Sequence, residues 1–149
     1  SRGLGLAAWI ATYIAAWRYD ILKMYELYAA LPPQPPPDCY IATAAAQGHL
    51  QVVRSHTVHR VDGKSMQVNR QLQVLKFAEL ALLAVNPHLH IFLRKIYDVV
   101  GKFLARRIHN PFMADAAYLF LKPFEWLARW LLKMIVPEID ALTEKIYTE

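Results

Sequence analysis

Cys39 and His49 are the two residues whose types and spacing could supply a nucleophile and a base. Asp38 is a good helix N-cap, so Cys39 would lie in a first helical turn, where backbone N–H groups and the helix dipole favour a thiolate. A short turn after Gly48 would return the His49 imidazole toward the sulfur, as in an activated cysteine. We expect the alternative, an inert buried cysteine, because free cysteine mostly behaves as a small apolar residue.

A zinc site is a second candidate for chemistry. It would combine Cys39 and His49 with His56 and His59, since zinc binds both cysteine and histidine. On a β-strand, however, His56 and His59 would point to opposite faces. The chain has no second cysteine and no covalent-haem, phosphate-loop, dinucleotide or nucleophile-elbow motif. We therefore predict no metal site and no cofactor.

The heptapeptide Cys39–Ala45 reads Cys-Tyr-Ile-Ala-Thr-Ala-Ala and resembles the Cys-Phe/Tyr-Ile-Ala-Thr-Ala-Ala signature of the bacterial CFI-box proteins. Residues 114–126 are similar in a general way to the C-terminal part of some membrane-associated members. The resemblance implies a bacterial source and a membrane-associated protein. It supplies no agreed activity, so no catalytic role passes to Cys39.

The composition is unusually apolar for a soluble domain. Apolar residues make up 56% of the 149 positions, against about 45–50% in soluble domains, and charged residues make up 19%, against about 25%. The length suits one domain, and the single cysteine excludes an intramolecular disulfide. This composition predicts a protein that meets a membrane or a large apolar partner.

Charge is distributed unevenly along a chain whose net charge is +5. The segment from Arg54 to Arg107 is strongly basic, whereas residues 137–149 are mostly acidic. A basic segment favours anionic partners, and the apolar helices around it favour anionic lipid over nucleic acid. No nucleic-acid-binding signature is visible. Residues 137–149 are predicted to form an exposed acidic tail.

The N-terminal segment predicts a helix at a membrane. Gly3–Trp17 carries no charge, but its length falls short of the roughly 20 residues that span a bilayer. Trp9, Tyr13 and Trp17 share one helical face, and Arg18 follows directly, which is typical of a membrane boundary. We expect either the end of a transmembrane helix with a truncated N-terminus or an interfacial helix. The alternative is a core helix of a soluble bundle.

The fold class is predicted to be mainly α, with about five helices and one small β-hairpin. The proline run is expected to be a stiff spacer, and a proline-binding partner is the alternative. The predicted segments are a membrane or stalk helix over residues 1–31, a proline-rich linker over 32–37, a helical domain over 38–136 with a hairpin near 56–69, and the tail over 137–149.

Three long helices are predicted in the helical domain. Arg70–Val85 is nearly apolar and should be the most buried helix, ending at Asn86-Pro87. His88–Ile108 has one apolar and one basic face, so it either lies on an anionic membrane or has a solvated face opposite a core.

Phe112–Val136 is the last long helix, and its narrow charged stripe predicts burial on several sides. Phe124–Val136 could instead anchor the protein at a membrane surface, with Trp126 and Trp130 at the level of the lipid headgroups.

The sequence as a whole favours a non-catalytic, membrane-attached accessory or scaffold subunit. We expect it at the bacterial inner membrane, with the bulk of the chain on the cytoplasmic side, contacting a membrane protein complex and anionic lipid. The alternatives are a cysteine-dependent enzyme of the membrane surface that uses Cys39 and His49, and a soluble helical interaction module. The residues predicted to contact the membrane or a partner are Trp9, Tyr13, Trp17, Arg18, Trp126 and Trp130.

Overall fold

The computed structural model describes residues 2–30, 40–59, 63 and 65–147. Within that part the fold is mainly helical with one antiparallel hairpin, as the sequence predicts. The short helices α3 and α7 were not expected. The helices are α1 (Arg2–Ala29), α2 (Tyr40–Ala45), α3 (Leu50–Val53), α4 (Arg70–Val85), α5 (Pro87–Ala105), α6 (Pro111–Ile135) and α7 (Ile139–Thr143), and the strands are β1 (His56–His59) and β2 (Ser65–Val68).

Asparagine side chains start the three long helices of the domain. Asn69, Asn86 and Asn110 each accept a hydrogen bond from a backbone N–H three residues ahead, at 2.8, 3.0 and 2.8 Å. Pro87 and Pro111 occupy the first positions of α5 and α6, where a missing N–H costs nothing. The predicted bounds of α4 are confirmed, because Asn69 caps its start and Asn86-Pro87 stops it.

Helix α4 lies at the centre of the domain and packs against α1, α5, α6 and α7. Seven of its residues are buried, which confirms the prediction that it is the most buried helix. An ion pair joins Lys76 to Glu79 one turn further along the helix, at 2.8 Å. The main apolar core joins α4 to the two ends of the chain and contains Ile21, Phe77, Ala81, Leu132, Val136, Ile139 and Ile146.

The predicted exposed acidic tail is wrong for the described residues up to 147. Ile139 and Ile146 are buried in the main core, so the segment folds back onto α4. The acidic residues Glu138 and Asp140 are counterions rather than free surface charges. They bind Arg18 of α1 and Arg129 of α6, respectively.

Helix α1 has two unlike halves. Toward its C-terminal end Ile21 is buried and the Tyr25 ring lies 5.6 Å from the ring of Phe77, so this half packs on α4. Residues 3–16 are exposed on every side. In the described residues, no helix combines the length and the apolar character needed to cross a bilayer.

Helix α2 fills the space between α5 and α6 with small side chains. Ala42 and Ala45 are buried, which lets the backbone approach its neighbours closely. The Ile41 N–H donates to the Tyr97 hydroxyl of α5 at 3.1 Å. The predicted linker over residues 32–37 and the heptapeptide's first residue, Cys39, lie outside the described residues.

Candidate functional site

The outward side of α6 is almost entirely apolar. Lys133 is the only exposed charged residue on this helix, all of which is described. Trp130, for example, exposes 61% of its surface. We call this surface the α6 outer face; it consists of Phe112, Met113, Ala116, Leu119, Phe120, Pro123, Phe124, Trp126, Leu127, Trp130, Leu131 and Met134.

The inward side of α6 carries a carboxylate. Glu125 is 2% exposed and accepts hydrogen bonds from Lys122 at 2.7 Å and from the Gln71 amide of α4 at 3.4 Å. The Lys122 ammonium also donates to the Tyr118 hydroxyl at 3.0 Å. A soluble amphipathic helix turns its apolar side inward. Burial of α6 on several sides, as predicted, is therefore wrong within the described residues.

Helix α5 also directs charged groups toward the protein and apolar side chains away from it. Its side that faces α4 carries polar groups, with Arg94 bound to Glu79 of α4 and to Asp98, the latter at 3.2 Å. His90 lies 3.4 Å from Glu79. The alternative of a solvated basic face opposite a core is wrong about the core, because the apolar face is exposed; Lys95, Lys102, Arg106 and Arg107 are exposed as well. The α5 outer face consists of Leu89, Phe92, Leu93, Ile96, Val99, Val100, Phe103 and Leu104.

The two helices differ in how their cations are balanced. On α6, Lys122 pairs with Glu125, while Arg129 and Lys133 pair with Asp140 at 2.8 and 3.1 Å. The hydrogen bond from Arg129 is the main reason that the pKa of Asp140 lies well below its usual range. In the second half of α5 and the turn after it, within the described residues, no ion pair is present at Lys102, Arg106 or Arg107, and none is present at Lys95 in the middle of the helix.

Two of these cations lie over aromatic rings instead. The Lys102 ammonium is 5.3 Å from the centre of the Tyr40 ring, and the Arg107 guanidinium is 5.0 Å from the centre of the Phe103 ring. Such contacts stabilise a cation without neutralising it. The end of α5 therefore keeps its positive charge.

The aromatic residues predicted on α1 form a continuous ladder. The ring centres of Trp9 and Tyr13 are 5.1 Å apart, and those of Tyr13 and Trp17 are 5.2 Å apart. Trp9 and Tyr13 are exposed, and Trp17 is half-buried. Arg18 binds Glu138 through both of its terminal nitrogens. Arg18 therefore joins α1 to the segment before α7 instead of extending into solvent.

Trp126 and Trp130 lie one helical turn apart on the α6 outer face, and both are exposed. The bond between Arg18 and Glu138 places the point where α1 leaves the domain beside the C-terminal end of α6. The structure thus brings five of the six predicted residues to two surfaces, the ladder of α1 and the α6 outer face, and engages the sixth, Arg18, in the ion pair with Glu138. No ring contact joins the two surfaces among the described residues.

His49 has a partner that its sequence neighbourhood does not reveal. Its Nδ1 shares a hydrogen bond of 2.6 Å with Asp115, and its backbone N–H donates to the same carboxylate at 2.8 Å. These bonds lower the pKa of Asp115. Gly48 permits the approach, because a Cβ there would lie 2.2 Å from an Asp115 oxygen. The contact fixes the turn after α2 to the start of α6.

The remaining histidines show no metal arrangement. His56 and His59 are both exposed on β1, which pairs with β2 in the register His56 to Val68. In the part of the chain that the structure describes, no three His, Cys, Asp or Glu side chains are grouped to hold a metal ion. Cys39, the other candidate, lies outside that part.

Residues 37–148 match the family described as the DUF6688 C-terminal domain, and the chain belongs to this family. The match includes both outer faces, the hairpin and α7, and leaves α1 outside. No curated protein and no solved structure is significantly similar to the chain. The resemblance to the CFI-box proteins stays a prediction.

Proposed function

We propose that the chain is a non-catalytic, membrane-attached accessory or scaffold module on the cytoplasmic side of a bacterial inner membrane. Its α5 and α6 outer faces would lie in the apolar border of the bilayer and against the membrane-embedded helices of a partner. The single observation behind this proposal is that both helices expose large apolar side chains, while a charged residue of each, Arg94 on α5 and Glu125 on α6, lies on the side that faces α4.

The exposed apolar side chains of α5 and α6 are stable only where they are removed from water. Soluble monomers rarely expose a contiguous apolar patch larger than a few hundred Å². Each Å² removed from water contributes roughly 25 cal/mol, so an uncovered helix face is costly. Glu125 of α6 and Arg94 of α5 bond to residues of α4. These bonds hold both helices in the orientation that leaves their apolar faces outward. A bilayer or an apolar partner is therefore the expected environment.

The dimensions of α6 suit a helix that lies along the membrane surface. From Phe112 to Met134 the outer face extends about 33 Å at 1.5 Å per residue. Interfacial helices bury their apolar side roughly 5–10 Å deep and place tryptophan at the headgroup level. The exposure of Trp126 and Trp130 on that face supports this arrangement, because both rings can reach the lipid headgroups.

Helix α1 offers a surface for a partner in the membrane. Its exposed half carries the aromatic ladder on one side and small residues on others. Tryptophan and tyrosine suit the membrane interface, and small side chains let another helix approach closely. The small residues of this half are Ala7, Ala8, Ala11, Ala15 and Ala16.

One observation favours a second candidate, the cysteine-dependent enzyme. A carboxylate that holds a histidine is the usual way to orient a general base, and Asp115 holds His49 in this manner. The candidate requires Cys39 to have a lowered thiol pKa that depends on His49. Iodoacetamide alkylation rates measured against pH, in the wild type and in His49→Ala, test this requirement.

Vesicle flotation tests the leading proposal. The chain is mixed with neutral phosphatidylcholine vesicles and compared with Trp130→Asp, which places a charge on the α6 outer face. The matched control is Leu50→Asp on α3, because Leu50 is 65% exposed, close to the 61% of Trp130. We expect Trp130→Asp to reduce the bound fraction at least about 20-fold, since a tryptophan contact is lost and a charge is desolvated.

Leu50→Asp should float with the vesicles as the wild type does. A wild-type chain that stays monomeric without detergent and floats with neither neutral nor anionic vesicles would contradict the proposal. Equal loss of binding in Trp130→Asp and Leu50→Asp would show that the α6 outer face has no special part in it.

A further inference from the structure

Uncompensated positive charge is concentrated at one place in the described structure. Most described lysines and arginines have a carboxylate partner, as Arg18, Lys23 and Arg70 do. Outside α5 and its end, only Arg54 and Lys145 have no ion pair among the cations whose side chains the structure describes. The others without an ion pair in this part of the chain are Lys95, Lys102, Arg106 and Arg107.

Two of these cations line a shallow groove. Lys102, Ala105 and Arg106 of α5 and the following turn form one wall, and Tyr40 of α2 forms the other. The groove has a volume of about 360 Å³. Lys102 and Arg106 are four residues apart, so their side chains lie on the same side of the helix axis. The groove therefore presents two positive charges and an aromatic ring together.

The groove borders the α5 outer face. Val99 and Phe103 precede Lys102 and Arg106 by three residues each, so the cations lie next to them on the helix surface. Val99 is 74% exposed and Phe103 is 59% exposed. A ligand for this place should be negatively charged and should adjoin an apolar phase.

We propose that Lys102, Arg106 and Tyr40 bind the phosphate of an anionic lipid headgroup while the α5 outer face lies in the acyl region of the same leaflet. This inference rests on the proposed function and adds the lipid class and the contact residues. Arginine and lysine donate charge-assisted hydrogen bonds to phosphate oxygens, and tyrosine is favoured at headgroup depth. A nucleic acid would satisfy the charges but would leave Val99 and Phe103 in water.

The test compares two kinds of vesicle. Sedimentation of the full chain is measured with phosphatidylcholine vesicles and with vesicles in which about one third of the lipid is phosphatidylglycerol. The wild type should prefer the anionic vesicles. Because each basic residue near an anionic surface contributes roughly fivefold in partitioning, Lys102→Gln/Arg106→Gln should bind them about 25-fold less well. Its binding to phosphatidylcholine should be unchanged.

The matched control is Arg54→Gln/Lys145→Gln, which removes the same charge from two other cations without ion pairs. This control should lose less than about threefold, and circular dichroism should show the same helix content in all three proteins. An equal loss in the two double variants would overturn the site, because only net charge would then matter. An equal loss of single-stranded oligonucleotide and vesicle binding in Lys102→Gln/Arg106→Gln would overturn the assignment to lipid.

The two proposals fail in different ways. A wild type that binds both vesicles equally well contradicts the headgroup site and leaves the membrane function standing. A wild type that binds neither kind contradicts both.

Discussion

Helices α5 and α6 share a hydrophobic pattern but differ in electrostatics. Both turn an apolar face outward and hold a charged residue, Arg94 on α5 and Glu125 on α6, against α4. On α6, however, Glu125 and Asp140 neutralise the cations from within the protein. The carboxylates near α5, Glu79 and Asp98, are engaged by Arg94 and leave the cations beyond it without ion pairs among the described residues.

The difference in charge between α5 and α6 distinguishes two contributions to membrane binding, apolar insertion and electrostatic attraction. Apolar insertion is insensitive to salt, whereas attraction to an anionic surface is screened over about 10 Å at 0.1 M salt. The α6 outer face should therefore provide binding that persists at high salt. The end of α5 should provide the part that depends on lipid charge. Removing a carboxylate that neutralises a cation of α6 should make the membrane binding of α6 depend on lipid charge, as that of α5 does.

Among the substitutions of charged residues, the largest effect on stability is expected for Glu125→Gln. Glu125 is nearly fully buried and bonds Lys122 and Gln71, so losing its charge leaves Lys122 without a counterion. We expect a loss of about 2 kcal/mol in the free energy of unfolding, measured by urea denaturation. The variant should also gain a preference for anionic vesicles, since Lys122 becomes uncompensated.

The control for this prediction is Glu26→Gln, which breaks the exposed pair with Lys23. It should leave the free energy of unfolding nearly unchanged, because an exposed ion pair contributes little to stability. If the two variants were equally destabilised, the buried carboxylate would have no special role in balancing α6.

A smaller effect, with a defined pH dependence, is expected for Asp140→Asn. Asp140 binds Arg129, Lys133 and Arg70, and its pKa is lowered, chiefly by the Arg129 hydrogen bond. A lowered pKa means that the carboxylate stabilises the fold above its unfolded value, about 3.9, and that this contribution is lost as the pH falls below it. Since Asp140 is about one third exposed, we expect the variant to lose only about 1 kcal/mol at pH 7.

Thermal unfolding at a series of pH values tests whether the stabilisation by Asp140 is lost as the pH falls. The wild type should approach the stability of Asp140→Asn as the pH falls from about 5 to about 2. A gap between the two proteins that stayed constant over this range would mean that the charge of Asp140 does not hold α6 and α7 together.

The smallest effect on stability is expected on the outer faces themselves. Phe92→Ser on α5 and Phe120→Ser on α6 remove exposed rings, so the free energy of unfolding should change by less than about 0.5 kcal/mol. Self-association in the absence of lipid should decrease, which light scattering measures. Phe77→Ser, in the buried core, is the contrasting control and should be severely destabilising.

The sequence predicted helices where local signals were strong. Asn69 and Asn86-Pro87 define α4 because capping and proline effects act within a few residues. The two-sided pattern of α5 was also visible, yet periodicity reveals only that a helix has two faces and not which face meets the protein. The burial of Glu125 and Arg94 is decided by partners on α4, which local patterns do not encode.

The features that the sequence did not predict depend on contacts between residues far apart in the chain. His49 and Asp115 are 66 positions apart, and no motif connects them. The acidic residues after Pro137 have the composition of a solvated tail, but Ile139 and Ile146 supply core side chains that draw the segment inward. The roles of Cys39 and of the CFI-box-like heptapeptide stay predictions, because Cys39 lies outside the described residues.

The most direct test of the central claim is the depth of Trp126 and Trp130 in a membrane. In a chain carrying Trp9→Phe and Trp17→Phe, the remaining tryptophans report only on the α6 outer face. We predict that adding vesicles shifts their emission to the blue, that brominated lipids quench it, and that iodide in the water no longer does. Emission that stays unshifted, resists brominated lipids and is quenched by iodide as in vesicle-free solution would contradict the account.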